Sequence, residues 1–217
     1  MVHWTLMALC DALFARFYDP LLAPMEEAGL QIWRAELLAE LAGTVVEIGA
    51  GTGANLAHYP AAVERLILTE PEPGMLAQLR PRLDQVRSEI EVTAQRASAS
   101  SLPLGDDEAD AVVTTLVLCS VPDPGAVLTE VRRVLRPGGR LVFLEHVAAE
   151  GRPDRLRWQR RLDHVWPHIA GGCRLTRDTR VAIEDAGFTV EALARESARK
   201  APPFIRPMIR GHALAPA

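Results

Sequence analysis

The chain of 217 residues is 48% hydrophobic and 24% charged, and it carries a formal net charge of −4. This composition is that of an ordinary globular protein and excludes a disordered, collagen-like or fibrous chain. A chain of this length buries on the order of 70% of its extended surface, so it forms a core without disulfides or a structural metal. Its negative charge offers no general attraction for nucleic acid.

The three cysteines, Cys10, Cys119 and Cys173, are odd in number and far apart in sequence. Their spacing predicts neither a disulfide framework nor a CxxC metal site, which is typical of a reducing cytoplasm. The apolar stretch 2–10 lacks the basic region that precedes a secretory signal. No segment has the roughly 20 apolar residues of a membrane-spanning helix. We therefore expect a cytoplasmic protein without a membrane span.

Hydrophobic periodicity changes along the chain. Residues 4–41 show helical spacing interrupted at Pro20 and Pro24, which predicts two or three helices before the first strand. Short, continuous apolar runs follow, and such runs are typical of buried parallel strands. They span residues 44–48, 65–69, 90–94, 111–115 and 140–145, with helix-length segments at 74–86 and 125–135 and a shorter helical stretch up to residue 58.

The last third of the chain has a different character. After residue 147 it becomes polar and arginine-rich until about residue 179, and a predicted helix then runs to residue 187. Strand patterns at 188–193 and 209–214 end the chain. The alternation of strands and helices predicts an α/β fold with a doubly wound sheet. Ligands of such sheets bind at the carboxyl ends of the strands.

A glycine-rich turn ends the first predicted strand. The sequence Val46-Glu47-Ile48-Gly49-Ala50-Gly51-Thr52-Gly53 lets the backbone bend tightly and approach a ligand, and we expect a helix start with unpaired N–H groups after it. Glu70 follows the second strand, where a carboxylate accepts two hydrogen bonds from a ribose diol. Both features fit a nicotinamide dinucleotide and an adenosyl cofactor.

Two observations favour the adenosyl cofactor. Glu47, two residues before the first glycine, has no role in the dinucleotide fingerprint but is suited to receive the amino group of a sulfonium amino acid. The Tyr-x-x-x-Lys pair of short-chain reductases is impossible here, because the only tyrosines are Tyr18 and Tyr59 and the only lysine is Lys200. The nicotinamide alternative therefore lacks proton-transfer residues.

Successive motifs extend this pattern over most of the chain. The general ones are Glu47-x-Gly49-x-Gly51-x-Gly53, Glu70, Leu102-Pro103-Leu104, Ala109-Asp110-Ala111-Val112-Val113 and Leu135-Arg136-Pro137-Gly138-Gly139. Over residues 40–147 they resemble class I S-adenosylmethionine-dependent methyltransferases of the methyltransferase-11 and ubiquinone-biosynthesis type. The more specific ones are Gly51-Thr52-Gly53-Ala54-Asn55, Thr115-Leu116-Val117-Leu118-Cys119-Ser120-Val121, Glu145-His146-Val147-Ala148-Ala149-Glu150 and Gly172-Cys173-Arg174-Leu175-Thr176-Arg177. These are similar to the methyltransferase-like 7 group, which is associated with alkyl-thiol methylation.

The resemblance implies a Rossmann-like, seven-stranded, mostly parallel sheet with an antiparallel last strand, helices on both faces and an N-terminal helical cap. It also implies S-adenosyl-L-methionine as cofactor. The residues expected to bind the cofactor are Glu47, Gly49, Gly51 and Gly53 at the methionine moiety, Glu70 at the ribose, Pro71, Glu72 and Met75 beside adenine, and Ser98, Ala99 and Leu116 nearby. The family usually has an Asp for the adenine amino group where this chain has Ser98.

The acceptor side is expected after the fifth strand. His146 is the first candidate for a base or an orienting donor, with a hydrogen bond to a neighbouring loop as the alternative. Asp163 is the second catalytic candidate. His164 and His168 have the i, i+4 spacing of metal ligands, but the resemblance requires no metal. Cys119 is expected to pack as a small apolar residue, and Glu145, Cys173 and Asp178 complete the candidates at this edge.

The arginine-rich insertion has two interpretations. Residues 152–180 contain eight arginines against Asp154, Asp163 and Asp178, a local excess of +5. The insertion is either a solvated cap over the substrate pocket or a surface for anionic substrates such as RNA. We expect the cap, because only Trp158 and Trp166 are available there to stack on bases.

The expected function is methyl transfer to a small-molecule acceptor, with a thiol among the candidates. Two alternatives stay open, a nucleic-acid methyltransferase and a non-catalytic S-adenosylmethionine-binding protein. We expect one methyltransferase domain over residues 1–217, composed of a cap (1–42), a cofactor-binding core (43–147), a substrate-cap insertion (148–180) and a C-terminal helix with strands (181–217).

Overall fold

The computed structural model describes residues 15–216 and contains a seven-stranded sheet with strand order β3-β2-β1-β4-β5-β7-β6. The strands are β1 (Gly43–Ile48), β2 (Val63–Thr69), β3 (Glu91–Gln95), β4 (Ala109–Thr115), β5 (Leu135–His146), β6 (Thr189–Ser197) and β7 (Pro207–Leu214). The first five strands are parallel to one another, and β7 runs antiparallel to both β5 and β6. The predicted doubly wound sheet with an antiparallel last strand is confirmed.

The helices cover both faces of the sheet. They are α1 (15–25), a π-helical turn (Glu26–Leu30), α2 (Gln31–Leu38), α3 (Pro73–Leu79) with a 3₁₀ extension (Arg80–Gln85), α4 (Pro124–Val134), α5 (Pro153–Leu162), α6 (Trp166–Ile169) and α7 (Thr179–Asp185). Between residues 15 and 216, no helix combines the length and the apolar character needed to cross a membrane.

Two hydrophobic layers enclose the sheet because successive strand residues point to opposite faces. Val45 packs with Leu38 of α2 and Leu79 of α3, whereas Val46 packs with Leu128 of α4 and with residues of α7. These strand side chains are fully buried. The continuous apolar runs of the sequence therefore correspond to strands covered on both sides.

Three local predictions are wrong. The N-terminal helical segment continues through Pro20 and Pro24, and the break comes at Gly29, which has φ 139°. The part of that prediction before residue 15 lies outside the described residues. No α-helix follows the glycine turn, because the chain forms turns and one short 3₁₀ segment, Leu56–His58. Strand β5 begins at Leu135 rather than at residue 140.

The strand order places a crevice at the carboxyl end of β1. Because β2 and β3 lie on one side of β1 and β4 to β7 on the other, the chain reverses its winding direction between β1 and β4. Loops that leave neighbouring strands at such a point diverge to opposite faces and leave space between them. The glycine turn after β1 and the loop after β4 border this space.

Candidate active site

A cavity of about 630 Å³ lies at the carboxyl ends of β1, β2, β4 and β5. Its walls are mostly apolar and come from several parts of the chain. They include Tyr18, Leu21, Leu22 and Met25 from α1, Gly49 and Gly51 after β1, Glu70 to Glu72 and Met75 after β2, Leu116, Val117 and Cys119 to Pro122 after β4, Trp166, Ile169 to Gly171 and Cys173 from the insertion, and Lys200, Pro202, Ile205 and Met208 near the start of β7. The size and apolar lining are those of a small-molecule site.

The glycine turn brings backbone to the cavity at two positions. Gly51 has φ 57°, and a Cβ added there would meet only the Gly49 carbonyl oxygen and Tyr18 Cε1, both at 4.0 Å. Gly49 has φ 62°, and its added Cβ would lie 2.7 Å from a Val117 methyl carbon. Gly53 differs, because it does not line the cavity and its Cα packs against Leu56 and Leu79. Gly53 therefore shapes the turn from behind.

Glu70 links the second strand to this turn. The amide N–H of Gly51 donates to Glu70 Oε2 at 2.9 Å, and that of Glu72 donates to Oε1 at 2.9 Å. Glu70 is buried but lines the cavity, and burial raises its pKa. Each carboxylate oxygen keeps a lone pair for a further donor.

Glu47 lies beneath the cavity rather than in its wall. Asn55 Nδ2 donates to Glu47 Oε1 at 2.8 Å and the Tyr59 hydroxyl donates to Oε2 at 2.6 Å. Arg34, which is 2% exposed, donates to Asn55 Oδ1 at 2.9 Å and to Thr115 Oγ1 at 3.1 Å. Burial raises the pKa of Glu47 from an ordinary 4.5 to about 7.

Arg34 is a part of this network that sequence reasoning missed. A signal was present, since Arg34 lies four residues from both Leu30, the last residue of the π-helical turn, and Leu38 of α2, and both leucines are buried. A charged residue at such a position is buried only with partners. Its carboxylate partner is Glu26 of the π-helical turn, at 3.0 Å.

The side of the cavity predicted for adenine contains most of the expected residues. Pro71, Met75 and Ala99 line it together with Glu72, whose carboxylate caps α3 by accepting the Gly74 N–H. Ser98 does not line the cavity. It is exposed, and its hydroxyl pairs with Ser100 at 3.0 Å.

The loop after β4 is held by a buried carboxylate. Glu145 accepts hydrogen bonds of 3.1 Å from the amides of Val117, Leu118 and Cys119. The loop begins at Leu116, which lines the cavity and has a left-handed φ of 62°, a conformation that an ordinary residue adopts only when its surroundings enforce it. Glu145 therefore fixes the shape of this wall instead of facing a ligand.

His146 is the one predicted catalytic residue in the cavity wall, where it is 3% exposed. Its Nε2 lies 3.3 Å from the carbonyl oxygen of Phe204 and its Nδ1 lies 3.8 Å from Cys173 Sγ.

Asp163 does not reach the cavity. Its carboxylate accepts from the Leu175 amide at 2.5 Å and the Thr176 hydroxyl at 3.1 Å, so it supports the turn at 175–176.

Of the remaining candidate residues, some line the cavity and others lie on the surface or cap a helix. His164 and His168 are both exposed, and residues 15–216 contain no group of three or more ligands arranged to hold a metal. Asp178 caps α7 by accepting the Val181 N–H. Cys119 and Cys173, far apart in sequence, both line the cavity, and the Arg174 amide beside Cys173 donates to the Cys119 carbonyl at 2.8 Å. Their spacing had suggested no such pair.

The chain is similar to known methyltransferases in both sequence and fold. Residues 46–143 match the methyltransferase domain model. The human thiol S-methyltransferase TMT1A is 38% identical over 183 residues, which cover 82% of this chain and 75% of the relative. The rat thiol S-methyltransferase TMT1B is 39% identical over 176 residues, covering 79% and 70%. A solved S-adenosylmethionine-dependent methyltransferase of Thermotoga maritima, 22% identical, has the same fold with a TM-score of 0.65 over 96% of this chain and 99% of its own.

The chain belongs to the class I S-adenosylmethionine-dependent methyltransferases. Its cofactor is S-adenosyl-L-methionine, and the cavity of this methyltransferase fits that group. The backbone turn lines the cavity at Gly51 with no side chain in the way, and a buried carboxylate with unused lone pairs lies beside it at Glu70. Such an arrangement suits a ligand with a diol and a compact amino-acid end.

Proposed function

We propose that this methyltransferase transfers the methyl group of S-adenosylmethionine to the sulfur of a small apolar thiol. The observation that carries the proposal is the cavity, whose wall joins the glycine turn and Glu70 to an apolar region beside His146 and Cys173. The relatives covered over most of their length are named thiol S-methyltransferases, which supports sulfur as the acceptor atom.

In the cofactor half, we assign Glu70 to the ribose hydroxyls and the backbone of Gly49 and Gly51 to the methionine moiety. Pro71, Met75, Ala99 and Leu116 supply apolar contacts for the adenosyl group, since all four line the cavity. Glu47 acts from beneath by fixing Asn55 and Tyr59, and Gly53 by allowing the turn to pack. Ser98 has no direct contact in this proposal.

In the acceptor half, the chain binds and orients the thiol and excludes water. When bound, S-adenosylmethionine supplies an electrophilic methyl group on a sulfonium. A thiolate needs little acid-base assistance to take it, so alignment in a dry pocket supplies much of the rate enhancement. His146 orients the acceptor, because the Phe204 carbonyl accepts the proton of Nε2 and leaves Nδ1 as an acceptor on the cavity side.

A small acceptor is favoured over nucleic acid by the position of the arginines. Six of the eight arginines in residues 152–180 are exposed, and no arginine of the described chain lines the cavity. The insertion therefore supplies apolar wall residues such as Trp166 and Ile169, and its charges lie on the outer surface.

We also propose a reducing compartment such as the cytoplasm, where Cys119 and Cys173 stay free thiols.

An acceptor screen tests the proposal. The full chain is incubated with methyl-labelled S-adenosylmethionine and a panel of small thiols, alcohols, amines and short RNAs, and labelled products are identified by mass spectrometry. We expect labelled methyl thioethers from apolar thiols. Labelled RNA with unlabelled thiols would overturn the assignment of a small thiol as acceptor. It would indicate that the arginine-rich insertion binds RNA as the substrate.

A further inference from the structure

Two cysteines from distant parts of the chain meet in the acceptor half of the cavity. Cys119 follows β4, and Cys173 lies in the loop after α6. The Arg174 amide donates to the Cys119 carbonyl at 2.8 Å, and Arg177 Nη2 donates to the Val121 carbonyl at 2.6 Å. The two loops are therefore fixed against each other on both sides of the thiols.

Gly172 makes this approach possible. It has φ 86°, and a Cβ added to it would lie 2.6 Å from the Ser120 carbonyl oxygen. Only a residue without a side chain allows backbone to come so close in this conformation. The chain thus brings Cys173 directly to the loop that contains Cys119, and both thiols line the cavity.

The surroundings of Cys173 favour its thiolate. The Phe204 carbonyl accepts from Gln159 Nε2 at 2.9 Å and lies 3.3 Å from His146 Nε2. Since a carbonyl only accepts, it holds the proton on Nε2 and leaves the lone pair of Nδ1 facing Cys173 Sγ at 3.8 Å. Nδ1 can therefore take the thiol proton, which leaves a Cys173 thiolate beside an imidazolium. The indole N–H of Trp166 is buried with no hydrogen-bond partner among residues 15–216 and also favours negative charge on Cys173.

The two thiols differ in character. The neighbouring Cys119 thiol, and then His146, lower the pKa of Cys173. The neighbouring Cys173 thiol, together with burial, raises the pKa of Cys119 well above its ordinary value. Cys173 is half-buried and Cys119 is buried. An accessible nucleophilic thiol beside a shielded second thiol is the arrangement of a thiol–disulfide exchange pair.

We propose that Cys173 and Cys119 form a thiol–disulfide exchange site that accepts small apolar disulfides from the cavity. The Cys173 thiolate attacks one sulfur of R–S–S–R, the S–S bond breaks, and one RS⁻ leaves with the electron pair. Cys119 then loses its proton to water and attacks the mixed disulfide at the Cys173 sulfur, which releases the second RS⁻ and forms the Cys119–Cys173 disulfide. The substrate is reduced by two electrons, and two molecules of a small cellular thiol, themselves oxidised to a disulfide, restore the pair.

The exchange uses no methyl donor, so it stands apart from the proposed methyl transfer. It adds a source of acceptor, since each RS⁻ is released into the cavity that also contains Glu70 and the glycine turn. A disulfide that enters this cavity is thereby converted into the thiolate that methyl transfer needs.

The test uses 4,4′-dithiodipyridine, a small apolar disulfide whose released thione is measured by absorbance. All proteins carry Cys10→Ser, so that Cys119 and Cys173 are the only thiols. With the pair intact, we expect two thiones per chain and an intact mass lowered by two hydrogens. Cys119→Ser should release one thione and retain one pyridylthio adduct on Cys173. Cys173→Ser should react on the order of tenfold more slowly, because its remaining thiol is shielded.

Folding is checked by denaturant unfolding, and S-adenosylhomocysteine binding shows that the cavity is formed. If the protein with both Cys119 and Cys173 retains two pyridylthio adducts instead of forming the internal disulfide, the proposal is overturned. Equal reaction rates of Cys173→Ser and Cys119→Ser overturn it as well. Neither outcome depends on thiol methylation, so failure here leaves the proposed function intact, and failed methylation leaves this site intact.

Discussion

At the scale of single residues, Glu70 joins the glycine turn to the cavity. Replacing Glu70 with Ala removes the proposed ribose acceptor and the partner of the Gly51 amide. A hydrogen bond to a charged group contributes about 1.5–3 kcal/mol, so S-adenosylhomocysteine should bind about 10- to 150-fold more weakly by calorimetry. Glu64→Ala, an exposed position on β2, the strand that Glu70 follows, should bind normally. Unchanged affinity in folded Glu70→Ala would remove Glu70 from the ribose site.

Glu47 makes a pH-dependent contribution to stability. Its pKa is raised by burial to about 7 in the folded chain, against an ordinary 4.5. The folded state therefore holds the proton more tightly, and the associated stability is present below pH 4.5 and is lost as the pH rises through 7. Glu47→Gln stays neutral and keeps the shape of the side chain.

We expect the parent chain to lose more free energy of unfolding than Glu47→Gln between about pH 5 and pH 8, by on the order of 1–3 kcal/mol. Denaturant titrations at both pH values measure this difference, because other titrating groups are common to the two proteins. Parallel pH profiles would show that Glu47 keeps an ordinary pKa in its hydrogen bonds to Asn55 and Tyr59.

Residues whose role is local were predictable. Gly49, Gly51 and Glu70 lie directly after strands, so the sequence pattern alone brings them to the sheet edge. The placement of Glu47 beneath the cavity depends on Asn55 and Tyr59, which fold back across a turn expected to be helical. Arg34 depends on a contact 81 residues away with Thr115. Such long-range partners leave little trace in spacing.

At the scale of elements, the contact between the loops at 119–121 and 172–177 shapes the acceptor half. Gly172→Ala introduces a left-handed φ for Ala, which costs about 1–2 kcal/mol, and places a methyl group against the Ser120 carbonyl. Gly151→Ala is the matched control, since Gly151 has φ 71° and a Cβ there would contact nothing within 4 Å. Denaturant unfolding should show an extra loss of about 1–3 kcal/mol for Gly172→Ala. Equal losses of unfolding free energy in Gly172→Ala and Gly151→Ala would show that the contact between the two loops does not stabilise the fold.

Asp163 is a positioning residue for the turn at 175–176. Asp163→Asn keeps an oxygen for the Leu175 amide and turns an amide donor toward the Thr176 hydroxyl, so both hydrogen bonds lose the charge of the carboxylate and become weaker. We expect methyl transfer to fall severalfold while S-adenosylhomocysteine affinity stays within about twofold, since the proposed cofactor contacts lie elsewhere. Asp154→Asn, an exposed change on α5, should leave both unchanged. Equal turnover of the two variants would exclude a role for this turn.

The strands were better predicted than the connections between them. Continuous apolar runs identify β1, β2 and β4, because both faces of the sheet are covered there, whereas β3 is an edge strand without a buried residue. The segment after β1 has the spacing of a helix, yet its glycines adopt positive φ angles and the chain forms turns. Pro20 and Pro24 lie in a helix that breaks only at Gly29. Tertiary packing decides such boundaries.

At the scale of the whole molecule, α1 and the insertion close the cavity from opposite sides. Helix α1 is fixed over the glycine turn by the Asp19 carboxylate, which accepts from the Thr52 hydroxyl at 2.5 Å and pairs with Arg82 at 2.6 Å. The insertion closes the opposite side through Trp166 and Cys173. These contacts support our proposal that residues 1–217 form one methyltransferase domain with a cap and an insertion around its core.

The most direct test of the account is a competition between a thiol and its oxygen isostere. The full chain receives methyl-labelled S-adenosylmethionine and equal amounts of a small apolar thiol and the matching alcohol, and mass spectrometry counts the labelled methyl thioether and methyl ether. The account predicts the thioether alone, with its yield lowered in Glu70→Ala and unchanged in Glu64→Ala. A labelled ether without thioether, or equal yields from Glu70→Ala and the parent chain, would contradict it.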